Sequence, residues 1–152
     1  MTNYGNPDDG TLLAQLDTTA ARAEAWERLL TIATEFADLP HADDDYGWTK
    51  SERGPQGVVR GGYPVYGERV ERARGALVEV GAVTPTYPWM HHCPPRADTA
   101  ANLTPADAVR LATGIMRGER FSDGTIGAAV ESGTLQAVLA SLAAWYRSRP
   151  HA

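Results

Sequence analysis

LTPADAVRLATGIMRG, residues 103–118, is the stretch from which the fold class is read. Thr104 stands where an N-cap hydroxyl accepts from the first turn, Pro105 brings the fixed φ of a first helical residue, and Asp107 occupies the acid position of a capping box. Ala108, Leu111, Ala112, Ile115 and Met116 recur at spacings of three and four, which gathers them on one helix face. Gly118 is suited to end the helix. A stripe of this kind must be covered by other elements.

The rest of the chain supplies them. Phe121 and Ile126 have the spacing of a hydrophobic staple around Ser122, which predicts a helix starting there. Leu135, Val138, Leu139, Leu142 and Tyr146 form the stripe of a last helix over Thr134 to Arg147. That stripe is out of phase with Ile126 and Val130, so a break is predicted at Gly133. Upstream, a helix is predicted from Pro64 to Gly81, with Val65, Val70, Ala73, Leu77 and Val80 inward and Glu68 and Arg72 paired on the wet side. Another is predicted from Thr19 to Leu39, carrying Ala25, Trp26, Leu29, Leu30, Ala33, Phe36 and Ala37 and stopped by Pro40. Residues 40–62 and 84–102 read as long loops, the first with a small hairpin whose arms, 47–50 and 56–60, flank Arg53-Gly54-Pro55. The ends, 1–18 and 148–152, are expected to be flexible. The expected fold is mainly α: a single domain over 1–152, a compact bundle of four to five helices with two long aromatic-bearing loops and one small β-hairpin.

Composition narrows the function classes. Among 152 residues, 43% hydrophobic and 22% charged is ordinary globular usage. Cys93 is the single cysteine, so no intramolecular disulfide framework exists, and a reducing, cytoplasmic setting is expected. Met1 to Gly10 carries Asp8 and Asp9 where a secretory signal needs positive charge, and no run approaches the roughly 20 apolar residues of a membrane span. Residues 1–60 hold eleven acids and five bases, residues 61–152 eight acids and nine bases, together the net −5 of the chain. Such a balance disfavours a phosphate backbone as partner.

Beyond these signals, the order Tyr63-Pro64-Val65-Tyr66, Val80-Gly81-Ala82-Val83, Tyr87-Pro88-Trp89-Met90, Leu103-Thr104, Arg117-Gly118-Glu119-Arg120-Phe121-Ser122-Asp123-Gly124 and Glu131-Ser132-Gly133 resembles a family of small uncharacterised bacterial and phage proteins. The resemblance covers residues 60–146. It implies element boundaries and no chemistry.

The common enzyme motifs are absent: no Gly-x-Ser-x-Gly elbow, no His-Glu-x-x-His helix, no phosphate loop. His91-His92-Cys93 offers metal-ligand types or an activated thiol. Adjacent residues seldom share one ion, though, and no second ligand cluster follows, so an ordinary polar loop with no metal and no cofactor is expected. Asp43-Asp44-Asp45 lacks the alternate spacing of a calcium loop and reads as a solvated turn. Trp48, Tyr63, Tyr66, Tyr87 and Trp89 sit in or beside the loops as candidate interface residues, with anchoring of the loops as the competing role.

Arg117, Glu119, Arg120, Asp123 and Glu131 form the candidate ligand site, next to a helix N-terminus that favours anions. The plainer expectation there is a clamp of Arg120 on Asp123 or Glu131. The functional expectation is a non-enzymatic helical module that binds another protein, in phage and host conflict or in regulation. The alternative is a small enzyme or anionic-ligand-binding domain using the Arg117 to Glu131 segment. Oligomeric state is left open.

Overall fold

A computed structural model describes residues 4–50, 52–57, 59–97 and 103–149. The expectations for residues 98–102 and 150–152 lie outside it. Six α-helices are present among the described residues: α1 (Asp9–Leu13), α2 (Ala23–Asp38), α3 (Glu68–Glu79), α4 (Pro105–Gly118), α5 (Thr125–Ser132) and α6 (Thr134–Ser148). Four short strands join them: β1 (Tyr46–Trp48), β2 (Glu52–Arg53), β3 (Val59–Arg60) and β4 (Pro64–Tyr66). The mainly α architecture with a small antiparallel ribbon is the one read from the sequence.

Helix α4 forms as its signals require. The Thr104 hydroxyl accepts from the Asp107 amide, and Pro105 opens the first turn. Asp107 turns its carboxylate to Arg110 rather than back toward the cap. Helix α6 packs against α2, α4 and α5, and α2 also meets α3. Trp26 is fully buried at the α2–α6 seam, stacked 4.5 Å from Tyr146, and its indole N–H donates to the Asp17 carbonyl.

Several boundaries differ from expectation, each for a tertiary reason. The segment 1–18, expected as a flexible end, contains α1. Asp8 caps it by accepting from the Thr11 amide, and Leu12 and Leu16 are buried. Arg110 holds the preceding residues by donating to Asn6, to the Pro7 carbonyl and to Asp9. Helix α2 begins at Ala23, after a 3-10 turn over Ala20–Arg22, not at Thr19.

Pro64 does not open α3. Its fixed φ suits extended chain as well, and Pro64, Val65 and Tyr66 pair with Trp48, Gly47 and Tyr46 as β4. The expected pairing of 47–50 with 56–60 is not the one formed: β1 takes β4, and β2 and β3 pair as a separate two-stranded sheet in the chain between them. Helix α5 starts at Thr125 after Gly124, not at Ser122, and Phe121 is 68% exposed, so the staple does not form. The break at Gly133 is present: its φ is 83°, and α5 and α6 meet at a bend of 76°.

Asp45 departs from the solvated turn. Only 3% exposed, it receives Arg69 through two hydrogen bonds of 2.6 and 2.7 Å. Arg69 also lies 3.9 Å over the Phe36 ring and donates to the Leu39 carbonyl, which ties the start of β1 to α2 and α3. Among the described residues no single helix is long and apolar enough to cross a membrane.

Candidate functional site

The ribbon lies across the start of α5, and its sequence explains how. Side chains alternate across a strand pair, so Tyr46 and Trp48 share a face with their partners Tyr66 and Pro64. That face meets two glycines. A Cβ on Gly127 would stand 2.7 Å from the Tyr46 ring, and one on Gly124 would stand 2.6 Å from the Trp48 indole. Gly124 also holds φ 93°, a conformation costly for any residue with a side chain.

Glu119 locks the arrangement. It is 8% exposed, and its Oε1 accepts from the Tyr66 hydroxyl at 2.5 Å and the Ile126 amide at 2.8 Å, while Oε2 accepts from the Gly124 amide at 2.9 Å. The Gly127 amide in turn donates to the Tyr66 hydroxyl. Burial and the neighbouring carboxylate push the Tyr66 phenol far above its ordinary pKa. The N-terminus of α5 does attract an anion, as expected of a helix start. The anion is the protein's own Glu119, so those amides are not open to a ligand.

The residues singled out from sequence therefore divide. Arg117, Glu119, Arg120 and Asp123 come together with Tyr63 and Tyr66 around an open groove of about 880 Å³ between β4, α3 and the α4–α5 corner. Glu131 is elsewhere, beside Tyr46, whose phenol pKa its carboxylate raises. Trp48 rests on Gly124. Tyr87 is 3% exposed and no surface residue. Trp89 is half-buried, its ring 6.0 Å from that of Phe121.

The expected Arg120 clamp is absent. Among the described residues no carboxylate lies within ion-pair distance of Arg117 or Arg120, and neither side chain makes a hydrogen bond. The acid that was to pair with Arg120 from α5, Glu131, faces Tyr46 instead, and Asp123 lies beyond reach in the exposed corner. Arg74 of α3, which sequence reasoning passed over, brings a third unpaired guanidinium to the same groove, and Glu71 lines it as well. Nothing local marks Arg74, because only the packing of α3 beside the corner selects it. Tyr63, Val65 and Phe121 expose at least half their surface at the groove.

The loop after α3 holds the remaining candidates. The His91 ring stacks on Tyr4 at 3.8 Å, His92 shares a hydrogen bond between Nε2 and the Tyr4 carbonyl, and Cys93 is exposed. Among the described residues no three His, Cys, Asp or Glu side chains group as a metal site would.

Residues 21–148 match the model of a family of unknown function, DUF6508. The chain belongs to this family. No curated protein and no solved structure matches the chain. The DUF6508 match begins well before residue 60, where the resemblance read from the sequence began, so it takes in α2 and β1 as well as the helices after them. Its span thus includes both halves of the ribbon's contact with α5, Tyr46 and Trp48 on one side and Glu119 to Gly127 on the other.

Proposed function

We propose that this DUF6508 protein is a non-enzymatic recognition module that takes an acidic, aromatic-bearing segment of another protein in the groove beside β4. The observation that carries this reading is the set of three guanidinium groups, Arg74, Arg117 and Arg120, that line one groove without a carboxylate partner. A guanidinium offers five donors in a planar fork matched to carboxylates. With Glu71, Asp123 and the buried Glu119 nearby, the groove selects by directed donors rather than by a strong net field. Exposed Tyr63, Val65 and Phe121 add the apolar contact area typical of interface anchors.

The reading places the module in the reducing cytoplasm of a bacterium or phage-infected host, in regulation or in phage and host conflict. The exposed single thiol Cys93 is in keeping with a reducing compartment.

Panning a random peptide library on the purified protein tests the reading. Enriched peptides should carry Asp or Glu beside an aromatic residue. The Arg117→Ala, Arg120→Ala double variant should bind them at a cost of about 2 kcal/mol, roughly thirtyfold, with unchanged melting. Enrichment of neutral or basic peptides, or equal binding by the double variant, would refute it.

A further inference from the structure

Another cavity, of about 330 Å³, lies between α4 and the loop that follows α3. Its walls are mainly apolar: Trp89 and Met90 from the loop, Leu111 and Ile115 from the helix. The volume is at the small end of the range for ligand pockets, roughly 300–1,000 Å³. Two features single it out from a packing defect.

The first is Gly114. It stands in the middle of α4, where glycine weakens a helix relative to alanine. No neighbour demands it: a Cβ there would meet no heavy atom within 4 Å. The helix thus omits a methyl group where there is room for one, and the open side is the cavity that Gly114 lines. The second is Tyr87, 3% exposed, whose hydroxyl makes no hydrogen bond among the described residues. Tyr87 lines the cavity, so a hydroxyl that no protein group engages is available to a ligand there.

Charge sets the ligand class. Arg110 borders the cavity, but its donors are spent on Asn6, Pro7, Asp9 and Asp107. Among the described residues no other Lys or Arg lines the cavity to receive an acid. We propose that this cavity binds a small neutral aromatic molecule carrying one hydrogen-bonding group, its ring beside Trp89 over Gly114 and its polar atom on the Tyr87 hydroxyl.

Phenol and benzene are the probes, titrated into the intact protein and followed by amide NMR. Phenol should shift the Leu111, Gly114 and Ile115 amides saturably. Gly114→Leu should fold natively and bind phenol at least about tenfold more weakly, because its side chain takes the ligand's place. Gly114→Ala should fold with a melting temperature equal to or above that of the natural chain. Tyr87→Phe should weaken phenol roughly two- to tenfold, the worth of one hydrogen bond, and leave benzene unchanged. The proposal is overturned if phenol gives no saturable shift, if Gly114→Leu binds it as before, or if Tyr87→Phe affects phenol and benzene alike. A Gly114→Leu chain that fails to fold while Gly114→Ala folds also overturns it, since the open volume would then not exist.

Discussion

Replacing Glu119 by alanine should be among the most damaging single changes outside the apolar core. The substitution removes the acceptor of three donors at once: the Tyr66 hydroxyl, the Gly124 amide and the amide of Ile126, which is itself fully buried. Hydrogen bonds to a charged acceptor contribute about 1.5–3 kcal/mol each, and donors left buried without partners cost a comparable amount. Allowing for water reaching the Gly124 end, the loss should be roughly 3–5 kcal/mol, a large share of the 5–15 kcal/mol typical of a domain. At roughly 2–4 °C per kcal/mol for this size, melting should fall by about 6–20 °C. Glu119→Gln should cost less, roughly 2 kcal/mol, because its oxygen keeps two bonds while its amide group faces the Gly124 donor. Urea titration followed by circular dichroism measures both, and Tyr66→Phe combined with Glu119→Gln should be non-additive because the two side chains touch. A Glu119→Ala loss below about 1 kcal/mol, the range of ordinary surface changes, would refute the locking role.

Two further expectations follow from the backbone and from the charges. Gly133→Ala should lower stability by roughly 1–2 kcal/mol, the cost of a side chain at left-handed φ, and Gly124→Ala by more, because its Cβ would also displace the Trp48 indole; thermal melts in which Gly133→Ala matches or exceeds the natural chain would point to a continuous helix instead. For Asp45, burial alone would raise the pKa, but the Arg69 and Ala42 hydrogen bonds and the nearby cations outweigh it and hold the carboxyl below the usual range. A lowered folded pKa stabilises above the ordinary aspartate value near 3.9 and is lost as pH falls through the folded value. Asp45→Asn should therefore cost roughly 2 kcal/mol at pH 7 and little in acid, and a variant whose deficit is the same at pH 7 and pH 3 would contradict the ion-pair account.

Much of the helical framework was legible because its signals are local. Thr104, Pro105 and Gly118 bound α4 within a residue of the reading, and the phase slip around Gly133 marks the turn between α5 and α6. The misreadings have a common cause. Pro64-Val65-Tyr66 has both a helix-start residue and strand formers, and what decides between them is pairing with Tyr46 to Trp48, some eighteen residues away. Phe121 and Ile126 have staple spacing, yet Glu119 occupies the α5 amides and Gly124 turns the chain, which leaves Phe121 outside. Helix α1 has five residues, too few for periodicity to register, and is held by Arg110 from a hundred positions downstream.

The candidate site divides along the same line. The sequence by itself determined that Arg117, Glu119, Arg120 and Asp123 would cluster, because they fall within one corner between two helices. It also determined that the chain would be mainly helical, because caps and apolar periodicity act over a single turn. Only the tertiary structure decided what each residue does there. Glu119 is bound inward because the ribbon's Tyr66 and the α5 amides reach it together, Arg117 and Arg120 are left without acids because Glu131 faces Tyr46, and Arg74 joins them from α3. A side chain's partner is set by which surfaces the core brings within about 3 Å, and that distance is a property of the packed fold.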